Sequence, residues 1–376
     1  MKITFITPQP PERFGGGSIV ILSHLIALRG LVGSSSIKYI GPKSNTIDLR
    51  DFVSEYIYVP SSSMVLKFIS VLKQDSFLSV DKFILSNIKD LKGFLRDSDI
   101  IWIETTKLGN SLRILRDYIG KAKVILSVHN IEQLYYKQSE KITGMLLKKA
   151  ISHSEKFCAE FSDLMLFPTE EIYKLYEKIT ETRIRNVAIV NFFLNDDQVH
   201  VTDDILRGAC ITGSYRYGHN RQPLDTLISE WSKKSHSFKL FVFGSNIPVK
   251  TMKKSSNCKD IVFVINPVDD TDILPKIPIA LNPVISSGGV LVKNIVALKN
   301  GQVVTGFPGS FRGTRVGKYF EVVTSLEDML ERVEALLDDR KTLKEKREAA
   351  AEYYITQHSL SYGLEAFQQI IDKIVW

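Results

Sequence analysis

The chain has 376 residues, 44% of them hydrophobic and 24% charged. That balance supports packed cores in two ordinary domains or one large one, and excludes disordered, collagen-like and repeat proteins. The net charge of +7 and pI near 9.0 suit an anionic partner, yet no zinc-finger, RRM or basic-zipper pattern is present, which argues against nucleic acid.

The opening run Met1–Thr7 is too short for the apolar segment of a signal peptide. Pro8, Pro10 and Pro11 follow at once, so it reads as a first core strand. No stretch approaches the roughly 18 uninterrupted apolar residues of a spanning helix. The three cysteines, Cys158, Cys210 and Cys258, are odd in number and far apart. They fit a reducing cytoplasm and leave no disulfide framework or cysteine-based zinc site.

Strand-like runs are expected at Ile3–Ile6, Ile37–Ile40, Ile100–Ile103, Val124–Val128, Leu164–Phe167 and Val187–Val190. Helical periodicity falls between them, over Gly17–Leu31, Val65–Lys73, Val80–Leu95, Asn110–Ile119 and Thr143–Phe161. A polar stretch, Asn195–Arg207, reads as a linker, and the alternation then restarts. Strands are expected at Ala209–Thr212, Leu240–Phe243, Ile261–Val264, Ile277–Leu281 and Val303–Thr305, and helices at Asn220–Lys233 and Gly289–Leu298. A helical tail follows over Leu326–Leu337, Lys341–Tyr354 and Tyr362–Val375. Strand–helix alternation predicts parallel sheets with right-handed crossovers, whose ligands bind outside the carboxyl ends of the strands. The expected domains are 1–200 and 201–358, with the last helix, about 360–376, packing back on the first.

Four places carry candidate chemistry. Phe14-Gly15-Gly16-Gly17-Ser18 leads from the first strand into a helix, where glycines let backbone N–H groups approach an anion; a flexible turn is the competing reading. Ser127-Val128-His129-Asn130-Ile131-Glu132 sets polar side chains at the end of a core strand. Thr212-Gly213-Ser214-Tyr215-Arg216-Tyr217-Gly218-His219-Asn220 offers Arg216 for a two-pronged phosphate contact, against the alternative of a solvated surface arginine. Pro283–Gly301 is the most informative stretch: a strand end, a Ser286-Ser287-Gly288-Gly289 turn, and an apolar helix with one early charge, Lys293. Backbone N–H groups, helix dipole and ammonium converge there as a diphosphate cradle.

Taken in order, these motifs resemble retaining glycosyltransferases of family 4, particularly those of bacterial capsule, O-antigen and exopolysaccharide assembly. Gly213-Ser214, Tyr217, Asn220, Val242-Phe243-Gly244, Val268-Asp269-Asp270, Pro283, Gly289, Lys293, Ala297, Gly301 and Val303-Val304-Thr305 keep the order and spacing of the family pattern. The resemblance implies a GT-B fold, two Rossmann-like doubly wound domains facing a cleft. It implies a hexosyltransferase-class enzyme moving a sugar, with retention, from a UDP- or GDP-linked donor to a glycan. His129, Arg216 and Lys293 take the catalytic roles: His129 lies by the transferred sugar, and the other two neutralise the diphosphate. Gly15, Gly16, Gly17, Gly213, Ser214, Gly288, Gly289, Val290 and Asn294 line the donor. Beyond this co-substrate no cofactor is implied.

One departure stands out. Where the family places a ribose-binding glutamate, three residues after the lysine, this chain has Val296, and no Asp or Glu occurs between Asp272 and Glu321. Loss of such a carboxylate–hydroxyl pair costs about 1–3 kcal/mol of donor binding. The alternative reading is therefore a non-catalytic GT-B sugar-binding or partner subunit; a nucleotide-sugar epimerase is disfavoured by the same acid-free stretch. Asp270-Thr271-Asp272 matches a metal-binding DxD signature, but its place before Ile273-Leu274 reads better as helix capping, so no metal is expected.

Between Met64 and Lys156 there are 16 Lys+Arg against 10 Asp+Glu. Basic residues interleave with Leu, Ile and Phe at helical spacing over Met64–Leu95 and Lys141–Lys156. Such helices suit an anionic membrane interface and a lipid-linked glycan acceptor, although two-faced helices packed on a sheet show the same pattern. The protein is expected in the cytoplasm, at the inner face of the plasma membrane.

Overall fold

A computed structural model of the chain describes residues 1–13, 15–60, 79–137, 142–216, 218–255, 258–265 and 273–375. Phe14, Tyr217, Val65–Lys73, the Val268-Asp269-Asp270 motif and the Asp270-Thr271-Asp272 signature lie outside the described residues, as does Lys141. The chain divides into two compact units. The first holds Met1–Asn195, Gly288–Val290 and Leu360–Trp376, and the second Asp196–Ser287 and Leu291–Ser359.

The first unit is built on a seven-stranded parallel sheet. Its strands are β1 (Ile3–Ile6), β2 (Ile37–Gly41), β3 (Glu55–Tyr58), β4 (Ile100–Glu104), β5 (Lys123–Ser127), β6 (Leu164–Phe167) and β7 (Val187–Ile189), in spatial order β3-β2-β1-β4-β5-β6-β7. Near-continuous apolar runs such as Ile100-Ile101-Trp102-Ile103 are what a sheet covered on both faces requires. Period two sorts them. Ile101, Ile103, Val124 and Leu126 join one core, and Ile3, Phe5, Trp102 and Ile125 join the other. Two helices cover this second face: α1 (Gly16–Val32), through Ile21, Leu25 and Leu28, and the last helix, Leu360–Val375, through Phe367, Ile370 and Ile371. Helix α2 (Ser79–Arg96) covers the opposite face, with Val80, Ile84, Ile88, Leu91 and Leu95 buried in the core. For the described part of the basic amphipathic segment, the apolar side therefore packs on the sheet, leaving Lys89, Lys92 and Arg96 exposed.

The last helix approaches closely because residue 363 is glycine. A Cβ there would stand 2.3 Å from the Phe193 ring, well inside contact distance.

The second unit repeats the doubly wound plan with six parallel strands. They are β8 (Gly208–Ser214), β9 (Lys239–Ser245), β10 (Ile261–Ile265), β11 (Ile279–Asn282), β12 (Val303–Gly306) and β13 (Phe320–Val322), in spatial order β10-β9-β8-β11-β12-β13. Leu224, Leu227 and Trp231 of the helix Gly218–Trp231 and Met329 and Val333 of the helix Leu326–Asp338 pack on Ile211, Val242, Ile279 and Leu281. Strands β3 and β13 were not expected. Both are sheet edges of three or four residues, and in the Glu-Tyr-Ile-Tyr of β3 only Ile57 packs on the core, too little to give a period.

A buried cation ties this unit together. Arg347, 3% exposed, donates from Nε to Gly301 O, from Nη1 to Thr202 O and from Nη2 to Pro275 O, each at 2.9 Å. Three loop carbonyls thus converge on one planar guanidinium. Arg347→Met keeps the aliphatic stem but orphans these acceptors. It should cost about 3 kcal/mol by urea titration and lower the melting temperature by roughly 6–12 °C. Gly363→Val should destabilise the first unit by about 1–3 kcal/mol through overpacking, with proteolysis of the last helix as the readout.

Candidate functional site

In both sheets the strand order reverses, at β1/β4 in the first and β8/β11 in the second, and each reversal opens a crevice at the carboxyl ends. In the first unit the crevice is marked by a buried polar cluster. Period two places Glu104 on the same face as Trp102, and Ser127, the register partner of Glu104, on the same face as His129 two residues later. That face is the one covered by α1 and the last helix. His24 sits in the apolar stripe of α1, one turn from Val20 and Leu28, which are both fully buried.

These side chains meet on one carboxylate. Glu104 is fully buried, and His24 and His129 are 3% and 5% exposed. Glu104 Oε1 accepts from Trp102 Nε1 at 2.7 Å and lies 2.9 Å from His24 Nδ1. Oε2 lies 2.5 Å from His129 Nε2. Burial by itself pushes the Glu104 carboxyl up, but the attraction of His24 and the hydrogen bonds from His129 and His24 outweigh it and hold the group at about 2. The ligand atoms of His24, Glu104 and His129 lie within 4.8 Å of one another. Their donors are directed at the carboxylate, the arrangement of a hydrogen-bonded chain rather than of ligands opened toward an ion. Aromatic rings wall it in: Phe193 and Phe367 stand 5.2 and 5.1 Å from His24, and Phe192 stands 5.5 Å from His129. A cavity of about 10 Å³, lined in part by His24, Ser127, Phe192 and Phe367, adjoins the cluster, near the minimum that holds one water.

The turn after Glu104 is strained. Thr105 has φ 73° and ψ 151°, a region rarely left to a β-branched residue and costing on the order of 1–3 kcal/mol. Its N–H bonds Ser127 O at 2.9 Å, and its Oγ1 accepts from Lys107 N.

Of the other expected residues in this unit, Gly15 caps α1 with φ 90°, and Gly16 and Gly17 begin the helix. Glu132 turns to a buried pair with Lys107 at 3.3 Å, and its N–H donates to Glu155. Gly288, Gly289 and Val290 group with this unit.

The second unit carries the candidate cations Lys293 and Arg216. Helix α3, Val292–Lys299, begins three residues later than periodicity suggested, because Leu291 is still extended, and this places Lys293 in its first turn. The half-buried Lys293 makes no ion pair or hydrogen bond among the described residues, and burial pushes its ammonium down to about 8. The preceding loop is braced from β12 onward. Ser310 Oγ donates to the carbonyls of Asn282 and Val284, and Arg312 Nη1 donates to Ser287 O. A Cβ on Gly309 would fall 1.8 Å from Ile285 O. Asn294 belongs to this brace: its side chain accepts from Asn282 Nδ2 at 2.7 Å and donates to Ser310 O at 2.9 Å. Its amide is therefore engaged within the unit. Val296, at the position of the missing glutamate, is half-buried.

Gly213 and Ser214 end β8 as strand residues paired with Gly244 and Ser245, and the turn begins only at Tyr215; Asn220 Nδ2 donates to Ser214 O, and Ser214 Oγ accepts from Ser245 Oγ. Arg216 is exposed and makes no ion pair among the described residues. His129 thus belongs to one unit, and Lys293 and Arg216 to the other. Sequence reasoning missed Glu104 and His24, although a carboxylate ending an all-apolar strand and a histidine inside an apolar helical stripe were both visible.

No family model matches the chain, and no curated protein matches it. Solved structures do. Sucrose-phosphate synthase from Thermosynechococcus elongatus superposes with a TM-score of 0.77 at 12% identity, covering 100% of this chain and 99% of that one. HepE of Anabaena in complex with UDP gives 0.71 at 10% identity, again covering 100% and 99%. The catalytic domain of starch synthase IV from Arabidopsis thaliana, bound to ADP and acarbose, gives 0.68 at 9% identity with the same coverage. At these identities the likeness concerns architecture: the chain has the GT-B fold, two Rossmann-like parallel-sheet domains with a helical C-terminal region.

Proposed function

We propose that this protein is a glycosyltransferase of the hexosyltransferase class. It moves a sugar from a UDP- or GDP-linked donor to a glycan acceptor, with retention of configuration and without a metal. Lys293 carries the proposal: an ammonium with no partner among the described residues, in the first turn of α3 at the carboxyl end of β11. A sugar leaving a nucleoside diphosphate develops positive charge at C1 and negative charge on the β-phosphate, and a preorganised cation with helix N–H groups stabilises the departing group. Arg216 adds a second cation, and Gly213, Ser214, Gly288, Gly289 and Val290 let the donor approach backbone. Asn294 contributes through the loop it braces. Gly15, Gly16, Gly17 and His129 belong on the sugar side. The shared fold supports this reading, since the structures it resembles include chains bound to UDP, UDP-glucose or ADP.

The acceptor we assign is a lipid-linked glycan of cell-surface polysaccharide synthesis, O-antigen or capsule. Exposed Lys89, Lys92 and Arg96 on α2 suit its phosphate and a peripheral contact with an anionic membrane. Among the described residues no helix is long and apolar enough to cross a membrane. Val296 favours a second reading, a GT-B subunit that binds sugar or a partner without catalysis.

Thermal unfolding with UDP, GDP, ADP and CMP, each alone and as a nucleotide sugar, separates the two. One nucleotide at about 100 times its Kd should stabilise the protein by about 2.7 kcal/mol, a rise of roughly 5–10 °C. Lys293→Ala should abolish the rise. No shift with any nucleotide would sink the transferase reading.

The pH dependence follows from burial of the ammonium. Lys293 is charged below about 8 and loses its proton above it, while a diphosphate stays ionised. Nucleotide affinity should therefore hold from pH 6.5 to 7.5 and fall toward pH 9, by about tenfold per unit at most. Calorimetric titration checks this, and Lys293→Met should flatten the profile.

A further inference from the structure

An imidazole beside a sugar presents one nitrogen to it, and the proton on the other nitrogen is set by what that nitrogen touches. In the first unit this choice falls to a side chain enclosed by protein. Glu104 is fully buried, and an ionised carboxylate only accepts hydrogen bonds. His129 Nε2, 2.5 Å from Oε2, must therefore carry a proton. No hydrogen bond is made by its Nδ1 among the described residues.

The carboxylate itself cannot turn. Oε1 is taken by the indole of Trp102, which only donates, and by His24 Nδ1, at 2.7 and 2.9 Å. Rotation would strip both donors of their acceptor inside a wall of Phe193 and Phe367. Behind it the chain is pinned in an unfavourable turn, φ 73° at Thr105, by the bond from Thr105 N to Ser127 O. Backbone held in such a conformation next to a buried polar cluster marks a position that the surrounding structure over-determines.

We infer that Glu104 is a positioning residue for His129: it holds the proton on Nε2 and leaves Nδ1 as the ring atom that meets a hydroxyl of the transferred sugar, while His24 and Trp102 lock the carboxylate in place. The inference rests on the role given to His129 in the proposed transfer. It assigns a task to three residues, Glu104, His24 and Trp102, that are enclosed by protein.

Glu104→Gln gives a specific signature. The amide keeps the shape but offers one acceptor and one donor. Two donors, from Trp102 and His24, compete for the Oε1 position, so the amide oxygen belongs there and the NH₂ faces His129. His129 Nε2 must then accept, and the proton moves to Nδ1.

The experiment uses the full chain with ¹⁵N-labelled histidine, reading the His129 nitrogens by two-bond ¹H–¹⁵N correlation in wild type, Glu104→Gln and Glu104→Asp. Nucleotide binding and slow hydrolysis of UDP-glucose, UDP-N-acetylglucosamine and GDP-mannose are measured in parallel. We expect a protonated Nε2 in wild type and in Glu104→Asp, and an unprotonated Nε2 in Glu104→Gln. Hydrolysis by Glu104→Gln should fall by about 10- to 100-fold, as for loss of an orienting partner, with the UDP or GDP Kd unchanged. An unprotonated Nε2 in wild type overturns the inference, and so does Glu104→Gln with an inverted ring and undiminished hydrolysis. Wild type that binds no nucleotide overturns the transferase reading instead, and the ring inversion still decides whether Glu104 sets His129. The wild-type spectrum keeps the question answerable if Glu104→Gln does not fold.

Discussion

A carboxylate placed beyond the reach of water must find its donors within the chain or lose its charge. Glu104 finds three, and much of the first unit is arranged around them. Trp102 precedes it by one period of the strand, His129 follows its register partner by the same period, and His24 descends from the covering helix. Each brings its own apolar or aromatic surround, so the polar cluster is also where two strands, α1 and the last helix share their packing. Removing any one donor would leave the charge short of a partner, which is why such networks act as units rather than as sums of bonds.

The second unit answers a different requirement with the same topology. Here the charge is positive and left without a counter-ion among the described residues: Lys293 opens α3, and burial loosens its hold on the proton. The loop that presents it is rigid through its neighbours, the Ser310 hydroxyl, the Arg312 guanidinium and a glycine at 309 that admits the Ile285 carbonyl. A cation in the first turn of a helix behind a braced loop needs little reorganisation to meet an anion, which is what the proposed transfer asks of Lys293.

Much of this architecture was legible in the residues. Alternating apolar runs announced two parallel sheets, because strands buried on both faces have no polar side to hide. The Gly-rich turn before Lys293 was readable for a similar reason, since a lone ammonium inside an apolar helix is costly to bury unless an anion meets it. What escaped was what depends on pairing at a distance. Glu104 and His24 are 80 residues apart, and neither means much without the other. The edge strands β3 and β13 escaped because three or four half-exposed residues carry no period. Asn294 looked like a ligand contact from its place beside Lys293, yet its amide is engaged by Asn282 and Ser310, which only the fold of β11 against the 308–311 turn reveals.

The helix Leu360–Val375 has a consequence for how the protein is made. It supplies Phe367, whose ring packs on His24, Trp102 and Phe193, yet the rest of the first unit apart from three residues is complete by Asn195. The ribosome adds this helix about 165 residues later, a delay on the order of ten to thirty seconds at ordinary rates of synthesis. Throughout that interval the part of this sheet face that α1 does not cover waits with its aromatic residues exposed, a surface on which chaperones act and aggregation begins. The enclosed carboxylate is thus the last part of the first unit to be sealed, and its closure waits until the second unit has been synthesised.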